Sequence, residues 1–243
     1  MNGFIRYFLL LVLCSCPHLI NAQAGTTADS SLSEWKEYFD LSYGYDPNLV
    51  NGIRYLNLYP NSDGHPFLAE DHFYNGSLVI GNTEYEDVDF KYDICNQKII
   101  LQYSSFTGGK YQIVLNNEFV NEFKIDNKLF RKYSFSETGT RFFQIVTSGN
   151  IYCLYYWEKD LTDANYSLEY SYKFSSMKKK AYIIMNDQAY FFRNKRSFLR
   201  LFPEIYQKEI KQFIRANRIM VSNGSEKSIG QLVEYCNQLA DNK

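Results

Sequence analysis

Few residues in this chain can do chemistry, and their spacing matches no established site. Beyond residue 24 only two histidines occur, His65 and His72, so imidazole acid–base, nucleophilic or zinc chemistry must use one of them. They lie in His65-Pro66-Phe67-Leu68-Ala69-Glu70-Asp71-His72, two imidazoles and two carboxylates within eight residues. Zinc takes such ligands, but Pro66 excludes a regular helix here and no standard zinc spacing is present. The expected structure is a loop that packs Pro66 and Phe67 and leaves the polar residues solvated. A second cluster is Asp87, Asp89 and Asp93, with Glu84 and Glu86 nearby. Such carboxylates can bind calcium or act as an acid–base pair on a glycan. The three aspartates also occupy the outward positions of a strand, where charge is ordinary, and Lys91 lies among them and partly neutralises them.

Ser175-Ser176-Met177-Lys178 matches the bare serine-x-x-lysine pattern, which needs its serine at a helix start and two further motifs. Here it follows a β-pattern and the companions are absent. Asn75-Gly76-Ser77, Asn165-Tyr166-Ser167 and Asn223-Gly224-Ser225 are formal glycosylation sequons, read as accidental matches. No catalytic, metal or cofactor motif remains, so the chain reads as non-enzymatic and without a cofactor.

Charge asymmetry is the strongest chemical signal. From Lys173 to Arg218 there are twelve basic and three acidic residues, whereas Leu78 to Cys95 holds five acids and one base. The basic tract includes Lys208, Lys211, Arg215 and Arg218 on one side of an expected helix, with Tyr206, Ile210, Phe213 and Ile214 on the other. A basic helix face can meet anionic lipid headgroups, lipopolysaccharide or an acidic partner. The apolar side is needed to cover a sheet, so membrane contact would be peripheral and no transmembrane span is expected.

The first residues give an address. Arg6, the apolar Phe8–Leu13 run and Ala22-Gln23-Ala24 form a signal peptide over 1–24, too short in its apolar part for a stable anchor. Cleavage is expected after Ala24 or Ala22, which exports the protein to the periplasm, the outer membrane's surroundings or the exterior. Leu13-Cys14-Ser15-Cys16 is a loose lipobox, so lipidation at Cys16 is the alternative. Losing Arg6 takes the net charge from −1 to −2, which gives no hint of nucleic acid. Three cysteines remain, Cys95, Cys153 and Cys236. Their odd number leaves at least one thiol free or paired between chains; Cys236 reads as a buried thiol, and a Cys95–Cys153 bond stays open.

The remaining residues, about 220, suffice for one sizeable domain. Ser31-Leu32-Ser33-Glu34 reads as a capping box for a short helix through Leu41, and residues 25–50 form an N-terminal helix and loop. Residues 51–192 form the β domain. Val88, Phe90, Tyr92 and Ile94 alternate with Asp87, Asp89, Lys91 and Asp93, a period of two that buries the apolar set and exposes the aspartates. Strands follow at Lys98–Tyr103, Tyr111–Leu115, Phe119–Ile125, Leu129–Phe135, Phe142–Val146, Ile151–Trp157, Tyr166–Phe174, Ala181–Met185 and Ala189–Phe192. Turn pairs such as Asp126-Asn127 and Asn186-Asp187 separate them. The expected fold is β-rich α+β: an antiparallel meander curled into a barrel or a two-layer sheet. The helical segment 193–243 docks on it, with Asn194 and Ser225 as caps, Pro203 in a first turn, and the middle helix continuing to Arg218.

Gly64-His65-Pro66-Phe67-Leu68, Asn75-Gly76, Asp87–Ile94, Leu154-Tyr155-Tyr156-Trp157-Glu158-Lys159 and Lys195–Pro203 resemble, in order, uncharacterised exported proteins of Bacteroidota. The likeness spans about Gly52 to Cys236. It implies an envelope or extracellular setting in a Gram-negative bacterium and brings no activity or functional residue. The function expected is binding of a protein, glycan or anionic surface at the envelope, with exposed tyrosines as contacts. The alternatives are a polysaccharide hydrolase using paired carboxylates and a closed-barrel carrier of a lipid or small apolar ligand.

Overall fold

The computed structural model describes residues 35, 38, 44–105, 108–164 and 169–241. The chain divides into two compact units, Met1–Tyr43 and Gly44–Lys243. The leader, the lipobox and most of the first expected helix lie outside the described residues. Of that helix Trp35 and Tyr38 are described; both are helical and their rings meet edge to face at 6.2 Å.

The second unit carries the β-rich fold with helices at its end. Its strands are β1 Gly52–Arg54, β2 Ser62–Asp63, β3 Tyr74–Ile80, β4 Thr83–Asp93, β5 Lys98–Ser104, β6 Lys110–Leu115 and β7 Val120–Ile125. They continue with β8 Lys128–Phe135, β9 Gly139–Ile145, β10 Tyr152–Glu158, β11 Leu161–Asp163, β12 Tyr172–Phe174, β13 Lys178–Met185 and β14 Gln188–Phe192. The helices are α1 Lys195–Leu199, α2 Glu204–Ala216 and α3 Glu226–Asp241. Eleven strands form one sheet in the order β1-β6-β5-β4-β3-β7-β8-β9-β10-β13-β14, and β11-β12-β2 form a small second sheet. All pairings in the large sheet are antiparallel.

A plain meander is not what forms. The chain turns back after β6 and lays β7 against β3. Five residue steps separate Leu115 from Val120, a reach of about 17 Å, yet four strand spacings lie between β6 and β7, about 19 Å in a flat sheet. The sheet must therefore roll. Rolling also explains why Tyr92 on β4 touches Phe142 on β9, four spacings away, with ring centroids 6.2 Å apart. A bulge between Gly76 and Leu78 helps the bend. A Cβ at Gly76 would stand 2.2 Å from the Lys124 carbonyl oxygen, and the opposing Asp87 has φ +55°.

Inside the roll, Leu78, Phe90, Tyr92, Phe123, Phe130 and Phe142 form a packed core. β1 and β14 remain as edges, so the barrel alternative is corrected: the sheet curls without closing. β11 and β12 leave it for the small sheet, and of the expected strand Tyr166–Phe174 only Tyr172–Phe174 is extended among the described residues. The helices cover the β10, β13 and β14 end. Phe198, Ile210, Ile214, Leu232, Val233 and Cys236 pack there with Tyr155, Ile183 and Phe192.

The helix ends follow local chemistry. Asn194 and Ser197 form a reciprocal capping box on α1, and the Ser225 hydroxyl accepts the Ser228 N–H at 3.2 Å before α3. Pro203 is the N-cap of α2, one residue earlier than a first-turn position. α2 ends at Ala216 rather than Arg218. The Arg218 N–H reaches Arg215 O and the Ile219 N–H reaches Ile214 O, the paired bonds of a Schellman stop, with Arg218 at φ +52°.

Candidate functional site

The two histidines have different neighbours and do not converge. The His65 Nδ1 accepts the Phe67 N–H at 3.2 Å, and the Lys159 ammonium stands 3.5 Å from the same nitrogen while donating to the His65 carbonyl at 2.8 Å. Burial, then Lys159, holds the His65 pKa below its usual value. His72 packs on the Tyr74 ring at 3.7 Å. Among the described residues no three His, Cys, Asp or Glu side chains lie close enough to hold a metal.

The acidic strand splits into two kinds of residue. Asp87 and Asp89 are exposed as expected, but Asp93 is 5 % exposed, which corrects the outward reading. Its Oδ1 accepts the N–H groups of Cys95 and Asn96 at 2.9 and 2.8 Å, and Oδ2 accepts the Asn96 amide at 2.8 Å. It is the brace of the β4–β5 turn. Burial raises its pKa and these donors oppose the rise. Lys91 is also buried, because the segment 55–73 folds over its side of β4. Its ammonium lies 3.8 Å over the Phe67 ring and 4.8 Å over Phe73.

Ser175 to Met177 lie between β12 and β13 and Lys178 is the first residue of β13, paired to Asp160, while the Ser175 hydroxyl accepts the Asp160 N–H. The three cysteines are free thiols. Burial pushes both Cys153 and Cys236 up to about 12, far from the reactive thiolate range.

Lys208, Lys211 and Arg215 lie exposed on α2, and Arg218 lies exposed just past its end. Ile210 and Ile214 fill the sheet-facing side. Among the described residues no ion pair engages these four cations. Ile205 and Met220, 63 % and 65 % exposed, flank the basic face, so the helix region does retain two outward apolar side chains.

A further candidate surface is assembled by the sheet. On the face of β8, β9, β10, β13 and β14 opposite the helices, Phe143, Leu154, Tyr182 and Ile184 are buried beneath Tyr133, Phe135, Tyr152 and Tyr156. No helix residue joins this cluster among the described residues. Phe143 meets Phe135 at 5.5 Å, Tyr156 at 5.6 Å, Tyr182 at 5.8 Å and Tyr133 at 6.2 Å. Tyr133 reaches Tyr152 at 6.3 Å, and Tyr182 reaches the 48 % exposed Phe191 at 5.7 Å. Burial raises the Tyr152, Tyr156 and Tyr182 phenols above their usual pKa, so they stay neutral donors. The rim is charged and paired: Arg131 with Glu122 at 2.6 Å, Lys180 with Glu158 at 2.9 Å.

The sequence did carry a signal for this face. Ile151-Tyr152-Cys153-Leu154-Tyr155-Tyr156-Trp157 is apolar at every position, so β10 is apolar on both faces up to Glu158 at its end, and the helices can cover only one side. Against known proteins, the chain matches no family model, no curated protein and no solved structure.

Proposed function

We propose that this protein is a non-catalytic binding module of the cell envelope that docks a companion protein on the aromatic face of β8, β9, β10, β13 and β14. The supporting observation is the apolar, ring-rich centre on a sheet face that no described helix covers, inside a rim of paired charges. Aromatic residues and Arg dominate protein interface cores. The buried Phe143 ring meets Phe135 and Tyr182 edge to face at 77° and 88°, while the partly buried Tyr133 and Phe135 rings above it stack at 7°. The Tyr133, Tyr152 and Tyr156 side chains combine apolar ring area with a polar hydroxyl, which suits a protein partner's mixed surface.

The other two readings find less support. Asp93, which a carboxylate pair on β4 would use, is spent on the turn, and the interior of the roll is filled by rings rather than hollow. Export rests on the leader pattern.

The test is site-specific photo-crosslinking in the producing cell. A photoreactive residue at Phe135 or Tyr152 should give one discrete adduct, lost with Tyr133→Glu, while the same residue at Gln112 gives none. A purified chain that binds glycans but yields no adduct from either position would overturn the protein-docking reading.

A further inference from the structure

The two edges of the large sheet are not alike. β1 has three exposed residues and carries Arg54, the short charged type of edge that resists pairing. β14 reads Gln188-Ala189-Tyr190-Phe191-Phe192, with no charge and no proline. Asn186 and Asp187 both have positive φ, 51° and 59°, the signature of a two-residue type I′ hairpin closing Met185 against Gln188. Alternation in an antiparallel pair then turns the N–H and C=O of Gln188, Tyr190 and Phe192 toward β13 and those of Ala189 and Phe191 away from it. Among the described residues nothing bonds these outward groups.

We propose that β14 is a homodimer seam, with two copies pairing antiparallel across a twofold axis at Tyr190. Ala189 then faces the partner's Phe191, and the two symmetric pairs exchange four backbone hydrogen bonds. The register is complementary in size, a methyl against a ring, and in charge, because Asp187 stands opposite the partner's Arg193. Both residues are exposed, and no ion pair engages either among the described residues. Every such match occurs twice by symmetry, which favours a second copy over an unrelated strand. Backbone pairing stops at Arg193, whose N–H already reaches the Ser197 hydroxyl at 3.1 Å, so only its guanidinium extends across. Phe191, the exposed end of the aromatic face, is covered at the seam, and the two aromatic faces join. A five-residue seam buries less than the ~1,200 Å² of a stable interface, so the dimer is weak and concentration-dependent.

Sedimentation velocity from about 1 to 200 μM should show reversible dimer formation at the upper end. Phe191→Lys should leave a monomer throughout with an unchanged melting temperature, and Arg193→Glu should weaken association at least tenfold. In a Cys95→Ser background, Tyr190→Cys should form an intermolecular disulfide under mild oxidation, since non-hydrogen-bonded partners sit about 4.5 Å apart at Cα. Gln188→Cys, off the axis, should not. A chain that stays monomeric, a dimer untouched by Phe191→Lys, or crosslinking at Gln188→Cys in place of Tyr190→Cys would each overturn the seam.

Discussion

Lys91 and Asp71 form an ion pair at 2.6 Å in which the lysine side chain is 9 % exposed and the aspartate 50 %. The partner that binds the segment 55–73 to the sheet is thus buried, with its ammonium over Phe67 and Phe73 and 5.7 Å from the Tyr55 ring centroid. Removing the anion alone should strand the cation. Asp71→Ala should cost about 1–3 kcal/mol, whereas Lys91→Met, which keeps the apolar stem, should cost less than about 1.5 kcal/mol. The double variant should recover most of the Asp71→Ala loss. Denaturant titration of all four proteins checks this, and simple additivity would show that the pair is not coupled.

His65 gives the fold a pH dependence. Its folded pKa lies below the usual 6.5 because of burial and Lys159. Below that value the unfolded chain binds the proton first, so stability falls as pH drops from near 6.5 through the folded pKa. At higher pH the residue contributes no slope. His65→Gln should flatten the curve in that window while leaving neutral-pH stability within about 1 kcal/mol. An unchanged slope by thermal melts between pH 4.5 and 7.5 would assign the dependence elsewhere.

On β4, position in the alternation does not rank the residues by cost. Phe90 is fully buried, and Phe90→Ala should cost about 3–5 kcal/mol. Asp89 is exposed, and Asp89→Ala should stay within about 0.5 kcal/mol. Asp93→Ala should cost about 2–3 kcal/mol by leaving turn donors unpaired, with Asp93→Asn less harmful. Equal effects at Asp89 and Asp93 in urea titrations would remove the turn-brace role.

Lys208, Lys211 and Arg215 are exposed on α2 and Arg218 just past its end, and the proposal that they meet an anionic surface is tested by salt. Binding to anionic vesicles should weaken sharply between low and moderate salt, because attraction is screened over roughly 8–10 Å. Lys208→Glu with Lys211→Glu should weaken it further without lowering the melting temperature. Binding that ignores both salt and charge reversal would shift any surface affinity to the aromatic face.

Arg218 holds the left-handed position that ends α2, where a side chain is strained and glycine is not. Arg218→Gly should stabilise the protein by about 1 kcal/mol, read as a higher urea midpoint with unchanged slope. A loss of stability would mean that the arginine side chain makes a contact worth more than the strain.

Local patterns placed much, though not all, of the local structure. Alternation from Val88 to Ile94 placed β4, the Asn186-Asp187 pair set the last hairpin, Asn194 and Ser225 marked helix starts, and Ile210 and Ile214 identified the buried side of α2. Each depends on neighbours within a few residues, where periodicity and turn chemistry act. The order of strands did not follow, because β7 pairs with β3 across the 39 residues between Ile80 and Val120, and only the roll makes that pairing reachable. The burial of Lys91 and Asp93 was equally invisible: alternation says which side of a strand a residue takes, not whether a distant loop will cover that side. The aromatic face has the same origin. Six apolar positions in a row, Tyr152 to Trp157, are written in β10, but the packing of helices on one side, with no described helix on the other, is what leaves Tyr133, Phe135, Tyr152 and Tyr156 as a surface.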